Sequence, residues 1–155
     1  MKVKDFLKQW YDREIENWGG TTSQEYKDFQ RGYRNVLKEI GKEIRMELHS
    51  FNKNHYEFSA VMQSTITKQF YYISISDVRY FKNEWANKIL YRTMAHDKDW
   101  TGGSNRFCSL ENLSKSLEFL DKQISKNLEK ENTRQVINQD EPQKSNEDDF
   151  DLKYA

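Results

Sequence analysis

Apolar residues in the first fifty positions recur at intervals of three and four, which is the spacing of one helix face. We predict a first helix from Val3 to Trp18, ended by Gly19-Gly20, because glycine accepts the left-handed conformation that follows a helix end. Thr22 and Glu25 have the spacing of a capping box, which predicts the start of a second helix. Its apolar stripe would extend for roughly seven turns and comprises Tyr26, Phe29, Tyr33, Val36, Leu37, Ile40, Ile44, Leu48 and Phe51.

Two glycines lie inside the predicted second helix, where each costs up to about 1 kcal/mol relative to alanine. Close packing of Gly32 and Gly41 against the first helix would compensate that cost, and a tolerated surface position is the alternative. The two helices together predict an N-terminal helical hairpin over residues 1–51.

From His55 the hydrophobic period changes to two, which is typical of a half-buried strand. Tyr56 to Gln63 and Phe70 to Ser76 are predicted to form an antiparallel hairpin joined through residues 64–67. Asn83 is then a candidate N-cap for a short helix over residues 83–88, which would place Trp85 on the sheet.

A third strand is predicted from Ile89 to Ala95. Strand alternation would place Leu90, Arg92, Met94 and His96 on one face of it. Ser109 can cap a long third helix that covers the sheet with the stripe Leu110, Leu113, Leu117, Leu120, Ile124 and Leu128.

The expected fold class is therefore α+β, with the helical hairpin, a small mainly antiparallel sheet of about three strands and one long C-terminal helix on the sheet. We expect a single domain over residues 1–131, in which residues 54–128 supply the sheet and its helix. Residues 132–155 lose the helical period and contain the only proline, Pro142, so a flexible acidic tail is expected there. Docking of that tail into a basic groove is the alternative to a solvated terminus.

Composition narrows the functional classes. The mean hydropathy of −1.06 is low, but 14% aromatic residues supply the large apolar side chains that a folded core needs. Residues 51–108 carry 8 basic and 5 acidic side chains, whereas residues 109–155 carry 7 and 11. This distribution argues against a protein that coats nucleic acid along its whole surface and leaves room for a small basic site.

The single cysteine, Cys108, excludes an internal disulfide and a cysteine-based zinc site. The sequence lacks a signal-peptide pattern and an apolar run near the ~20 residues that span a bilayer, so a cytoplasmic protein without membrane contact is expected. No cofactor fingerprint is present and no cofactor is expected.

Candidate chemistry is concentrated between Ser74 and Asn105, where charged, aromatic and glycine residues follow predicted strand ends. The candidate binding residues are Asp77, Arg79, Arg92, Thr93, His96, Asp99, Thr101, Gly102, Gly103 and Asn105. Arg92 lies among apolar neighbours and needs a carboxylate, for which Asp77 is the predicted partner, leaving Arg79 for a ligand. We expect these loops to converge into one anion-binding patch.

Three local alternatives remain open. The Gly102-Gly103 pair can direct backbone N–H groups at an anion, or simply form a tight turn, because it matches neither a P-loop nor a dinucleotide fingerprint. His96, Asp97 and Asp99, with Glu57 or Asp77 nearby, would be candidate ligands of a divalent metal. A nucleophile pair of Cys108 with His96 is a weaker alternative to a small buried thiol.

The order of residues in this region resembles a known domain. Its signature here is Tyr71-Tyr-x-Ser-x-Ser-Asp77-Val-Arg79, Trp85, Leu90-Tyr-Arg92-Thr93 and His96-x-x-Asp99-Trp-Thr101-Gly102-Gly103-x-Asn105. The string resembles a small domain of Gram-positive conjugative elements, plasmids and phages, found in large polyvalent proteins and in free-standing proteins similar to type II-A anti-CRISPR proteins. The resemblance covers roughly residues 54–128.

This resemblance implies a non-enzymatic inhibitor from a mobile element, which binds the Cas9 effector or its guide RNA and blocks assembly or DNA cleavage in the host bacterial cell. It carries over no catalytic residue. The alternatives are a metal-assisted nuclease or guide-RNA-processing factor, and an accessory protein-interaction module of a conjugative element. The oligomeric state is left open.

Overall fold

The computed structural model describes residues 2–13 and 23–140, with side chains up to residue 134. Its elements in chain order are α1 (Val3–Trp10), α2 (Gln24–Ile44), β1 (Met46–Lys53), β2 (Glu57–Ser64), β3 (Phe70–Ser76), α3 (Glu84–Asn87), β4 (Ile89–Met94), β5 (Arg106–Cys108), a 3₁₀ turn (Leu110–Asn112) and α4 (Leu113–Asp140). The chain divides into two compact units, Met1–Asp121 and Lys122–Ala155. The first contains the sheet, and the described part of the second is helical.

The first two helices are confirmed, with different bounds. α1 buries Phe6 and Trp10 and ends at Trp10, whereas the predicted end at Gly19-Gly20 lies outside the described residues. α2 is capped by Ser23, whose hydroxyl oxygen accepts the backbone N–H of Tyr26 at 3.4 Å. Thr22, the predicted cap, also lies outside the described residues. A Cβ on Gly32 would stand 2.7 Å from the Phe6 ring, so close packing on α1 is the reason for this glycine.

The second helix does not continue to Phe51. It ends at Ile44 because Arg45 adopts a left-handed conformation, with φ at 60°, and the chain then turns into β1. Leu48 and Phe51 are therefore strand residues, and no glycine marks this helix end in the sequence. Gly41 packs against the backbone carbonyl of Met46 in β1, and not against α1 as predicted.

The sheet has five strands in the order β1-β2-β3-β4-β5, and every neighbouring pair is antiparallel. The predicted hairpin of β2 and β3 is confirmed, with Gln63 opposite Phe70. The prediction of about three strands missed β1, which continued the helical stripe, and β5, whose three residues are too few for a period to show.

One face of the sheet packs against the helices, and we call it the covered face. It carries Phe58, Ala60, Met62, Tyr71, Ile73 and Ile75, all buried. The rings of Tyr26 and Phe29 on α2 lie 6.0 and 6.3 Å from the Phe58 ring, and the fully buried Trp85 packs edge-on against Phe29 at 5.2 Å. Trp85 thus reaches the core as predicted. Asn83, however, caps α3 with no side-chain hydrogen bond and instead donates to Asp12 at 2.6 Å.

A buried carboxylate joins the start of α4 to the sheet. Asp121 is 5% exposed and accepts the hydroxyl groups of Ser64, Thr67 and Tyr71 at 2.6 to 2.7 Å. Burial and this carboxylate raise the pKa of Tyr71 well above its usual value. Because three hydroxyl donors satisfy Asp121, its burial is compatible with a stable fold.

α4 is longer than predicted. Residues 132–140, which we assigned to a flexible tail, continue the helix, and residues 141–155 lie outside the described part of the chain. The buried stripe of this region contains Leu110, Leu113, Leu117 and Leu120, whereas Leu128 is 48% exposed. Among the residues described, no helix combines the length and the apolar character that crossing a membrane requires.

Candidate functional site

The turn after β3 is built around Asp77, which is fully buried. Its carboxylate accepts the hydroxyl of Tyr26 at 2.7 Å, the backbone N–H of Arg79 at 2.9 Å and the Arg79 guanidinium at 2.9 Å. Its own backbone N–H donates to the carbonyl of Tyr56 at 2.9 Å. These hydrogen bonds fix the turn, which we call the Asp77 corner and define by Tyr26, Asp77 and Arg79.

The predicted pair of Asp77 with Arg92 is wrong, because the partner of Asp77 is Arg79 two residues further on. Arg79 is not free for a ligand either: its side chain is 9% exposed, and its guanidinium lies 4.7 Å from the Tyr26 ring and 5.1 Å from the Tyr80 ring. The hydrogen bonds that Arg79 donates to Asp77 raise the pKa of Arg79, while burial and the Asp77 carboxylate raise the pKa of Tyr26.

Arg92 lies on the other face of the sheet, opposite Tyr72 in the register of β3 and β4. It is 3% exposed, and its guanidinium donates to the backbone carbonyls of Asp99 at 3.0 Å and Thr93 at 3.2 Å. The same group stands 4.7 Å from the Tyr72 ring centre. Within the described residues no carboxylate comes within ion-pair distance of Arg92, so carbonyl oxygens and an aromatic face replace the expected partner.

The segment between β4 and β5, residues 95–105, is held by its own carboxylate, and we call it the Asp99 loop. Asp99 accepts the backbone N–H groups of Ala95 at 3.0 Å and Gly102 at 2.9 Å, and these bonds lower its pKa. Gly103 has φ at 83°, and a Cβ there would stand 2.6 Å from the carbonyl oxygen of Thr93. The Gly102 amide therefore binds Asp99, and of the two alternatives the glycine pair forms the tight turn.

The remaining candidates of this loop point to solvent or bond locally. Thr101 and Asn105 are exposed, as is His96, whose Nδ1 accepts the backbone N–H of Lys98 at 3.2 Å. Asp97 pairs with His49 of β1 at 3.3 Å. Among the described residues no three His, Cys, Asp or Glu side chains form a group that could hold a metal, so His96, Asp97 and Asp99 do not converge as a ligand set.

The two arginines do not share one patch. Asp77 follows the end of β3, whereas Arg92 is paired with Tyr72, five residues earlier, which at about 3.3 Å per residue separates the two positions by about 16 Å along the strand. In addition, Tyr26 approaches Asp77 from α2, on the covered face, while Arg92 projects from the opposite face. The single anion-binding patch expected from the sequence is therefore replaced by two separate regions.

A cluster that the sequence reasoning missed lies on the second face of the sheet, which we call the open face. Trp100 of the Asp99 loop stands edge-on to Tyr72 with ring centres 5.9 Å apart, and Arg92 packs on the same tyrosine. Trp100 is 53% exposed, and Phe107 of β5, in register with Leu90 of β4, is 56% exposed. The signal for Tyr72 was present in the sequence, because it alternates with the buried residues of β3.

The polar groups around this cluster are largely satisfied. Glu57 accepts the hydroxyl of Tyr72 at 3.3 Å and also the hydroxyl of Ser74. Burial, together with the Glu57 carboxylate, raises the pKa of Tyr72, so its phenol stays protonated and acts as a donor at neutral pH. Cys108 at the sheet edge is half-buried, and burial raises the pKa of its thiol, which disfavours the reactive thiolate.

On the open face, the rings of Trp100 and Tyr72 and the guanidinium of Arg92 form one contact cluster. The chain matches no protein-family model, no curated protein sequence and no solved structure. The resemblance to the mobile-element domain therefore stays a prediction.

Proposed function

We propose that this chain is a non-enzymatic binding protein that engages a partner protein through the open face of its sheet. The observation that carries the proposal is the cluster of Trp100, Tyr72 and Arg92, which we call the Trp100 cluster. Tryptophan, tyrosine and arginine are the residue types most enriched among side chains that dominate binding energy in protein interfaces.

The cluster is organised before any partner arrives. Arg92 is held by two backbone carbonyls, Asp99 fastens the loop through two backbone N–H groups, and Asp97 ties the same loop to His49. A surface whose side chains are already ordered loses less conformational entropy on binding. The half-exposed Trp100 would then bury its indole in the partner with little further loss of conformational entropy.

A protein partner fits the open face better than RNA does. The charged side chains around the Trp100 cluster and Phe107 are balanced: Glu57, Asp97 and Asp99 are acidic, and Arg92, Lys98 and Lys88, whose Nζ lies 5.4 Å from the Phe107 ring, are basic. The face therefore has no basic excess. RNA-binding sheets combine stacking aromatics with a positive field along the phosphate path. The sequence resemblance names the Cas9 effector as the partner to test first, with inhibition of assembly or DNA cleavage as the consequence.

The decisive experiment compares wild type with Trp100→Ala in two assays: co-elution with purified Cas9, with and without guide RNA, and protection of a targeted plasmid in cells. We expect wild type to bind and protect, and Trp100→Ala to lose at least about thirtyfold in affinity, because a central interface tryptophan contributes about 2 kcal/mol or more.

The matched control is Phe119→Ala, which removes an aromatic side chain that is 61% exposed on α4, away from the open face. Circular dichroism checks that both variants fold. Equal affinity of Trp100→Ala, Phe119→Ala and wild type would refute the use of the open face. Binding that requires guide RNA and persists with RNA alone would refute the protein partner.

A further inference from the structure

The solvent-facing side of α2 carries a line of basic residues that the proposed interface does not use. At about 100° per residue, the five basic side chains of α2 fall within an arc of about 80°, and all five are exposed: Lys27, Arg31, Arg34, Lys38 and Lys42. We call this line the basic ridge. It spans 15 residue steps, or about 22 Å at 1.5 Å per residue.

The ridge retains most of its charge. The acidic residues of α2 lie on the adjoining flank, where Asp28 meets Arg31 at 3.7 Å and Glu39 meets Lys42 at 3.2 Å. Both pairs are solvent-exposed, so water screens them strongly. Within the described part of the chain, the other three ridge residues, Lys27, Arg34 and Lys38, form no ion pair. A run of like charges without counter-charges on the same arc favours a polyanion.

Part of the ridge is anchored to the fold. The Arg34 guanidinium donates to the backbone carbonyl of Phe51 at 3.3 Å and lies 5.5 Å from that ring. Lys27, Gln30, Arg31 and Arg34 line a shallow depression of about 260 Å³. The basic groups are thus presented along a helix whose position on the sheet is fixed.

Two exposed tyrosines, Tyr56 and Tyr80, lie at the Asp77 corner, which also contains Tyr26, the residue before Lys27 of the ridge. Tyr26, next to Lys27 in sequence, packs under the Arg79 guanidinium, which also contacts Tyr80. Tyr80 in turn stands edge-on to Tyr56 with ring centres 5.1 Å apart, and the two tyrosines are 50% and 55% exposed. The Asp77 corner holds both of their loops, because Asp77 binds Arg79 and its backbone N–H donates to the Tyr56 carbonyl.

We propose that the basic ridge and the Tyr56–Tyr80 pair form one binding site for single-stranded nucleic acid. Ridge cations would contact the phosphates, and the exposed phenol rings would stack on bases at the N-terminal end of α2. Arg79, expected from the sequence to touch a ligand, here acts as a positioning residue beneath Tyr80. The site is independent of the open-face interface, so either assignment can fail without the other.

The test uses the full-length protein and a fluorescent 20-nucleotide oligouridine, titrated between 50 and 200 mM salt. If all five ridge cations engage phosphates, log K should fall with log salt at a slope of about −3.5, which corresponds to about a 100-fold loss over this range. Triple substitution Lys27→Gln, Arg31→Gln and Lys38→Gln leaves two cations, and the slope should fall to about −1.4.

The matched control is the triple Lys115→Gln, Lys126→Gln and Lys130→Gln on α4, which changes the net charge equally. It should retain the wild-type slope. Equal slopes for the two triple variants would overturn the ridge, because net charge alone would then explain binding. The open-face variant Trp100→Ala should bind oligouridine as wild type does, which separates this site from the proposed interface.

The tyrosine pair is tested with Tyr56→Leu plus Tyr80→Leu, using inorganic polyphosphate as a second probe without bases. The variant should lose at least about fivefold in oligouridine affinity at an unchanged salt slope, and should bind polyphosphate normally. Unchanged affinity for both probes, or an equal loss of affinity for both, would overturn base stacking. In the first case the ridge would be a general polyanion site, and in the second the variant would have disturbed the fold.

Discussion

The Asp77 corner and the Asp99 loop use the same two residue types in opposite ways. At the corner, the carboxylate of Asp77 binds the guanidinium of Arg79 directly; Asp77 is fully buried and the Arg79 side chain is 9% exposed. In the loop, Asp99 binds backbone N–H groups while Arg92 donates to backbone carbonyls. At the corner the two opposite charges therefore neutralise each other. In the loop, the two charged side chains are not paired, and each forms hydrogen bonds with backbone groups.

This difference explains why neither arginine is available for an external anion, although for different reasons. The guanidinium of Arg79 is already paired with the carboxylate of Asp77. An external anion that drew Arg79 away would leave the buried Asp77 carboxylate without its counter-charge. Arg92 has none, but its donors fix the loop that presents Trp100. A buried ion pair is costly to break from one side because the remaining charge loses its counter-charge. Removing the Arg92 donors leaves only neutral carbonyl groups unsatisfied, which costs less. Substitution of Asp77 should therefore destabilise the protein more than substitution of Arg92.

The largest effect is expected for Asp77→Ala. The substitution leaves the buried Arg79 guanidinium without its counter-charge and the Tyr26 hydroxyl without its acceptor, which should lower the free energy of unfolding by about 3–5 kcal/mol. Urea denaturation followed by circular dichroism measures the change. Asp97→Ala, which removes a half-exposed carboxylate, is the control and should cost less than about 0.5 kcal/mol. Similar costs for the two variants would contradict the distinct role of the corner.

Arg92→Met should be the next largest. Methionine keeps most of the apolar stem but removes two charge-assisted bonds to carbonyls and the contact with Tyr72, so a loss of about 2 kcal/mol is expected. Arg106→Met, at an exposed position of β5, is the matched control and should be nearly neutral. If Arg92→Met cost as much as Asp77→Ala, the distinction between the two regions would not stand.

Gly103→Ala tests the backbone of the Asp99 loop. The positive φ disfavours alanine by about 1–2 kcal/mol, and the new methyl group would press on the carbonyl of Thr93. Gly102→Ala is the paired variant: its Cβ would meet the carboxylate of Asp99, which is the end of a flexible side chain. Unfolding should therefore show a larger loss for Gly103→Ala, and the reverse order would refute this account of the turn.

The smallest expected effect is a loosening of the Asp99 loop at acidic pH. Hydrogen bonds from Ala95 and Gly102 hold the pKa of Asp99 below its unfolded value, so the carboxylate's contribution is complete above about pH 4 and is lost as pH falls through the lowered folded value. We expect the Trp100 fluorescence, isolated by difference from Trp100→Phe, to report loosening of the loop in that acidic window. Asp99→Asn should abolish the transition, and its persistence there would assign it to another group.

The sequence predicted the α+β class, the hairpin of β2 and β3, the burial of Trp85 and the presence of a long C-terminal helix. These features rest on local periodicity and on short-range turns, which a single sequence displays directly. It missed β1, because Leu48 and Phe51 also fit the helical stripe and Arg45 ends α2 in a conformation that usually signals itself by glycine. The sequence pattern also missed β5, because its three residues are too few to show a period.

The candidate site was predicted less well than the fold. The assignment of the functional side chains to residues 74–105 stays a prediction. Within that segment the predicted ion pair was wrong, because Asp77 takes Arg79 and not Arg92. For the glycine pair, which had two alternatives, the Gly102 amide binds Asp99 in a tight turn. Nothing in the sequence distinguished these partners, because Arg79 and Arg92 carry the same charge and no local pattern decides which of them meets Asp77.

Amino-acid order by itself determined which residues could pair, stack or turn, since charge, ring size and glycine content are properties of each position. Only the tertiary structure decided which of them do so. The register of β3 and β4 placed Tyr72 beside Arg92, and the approach of α2 brought Tyr26 to Asp77 across 51 positions of sequence. Such contacts between distant segments arise from the packing of the whole sheet against its helices, and no local pattern encodes them.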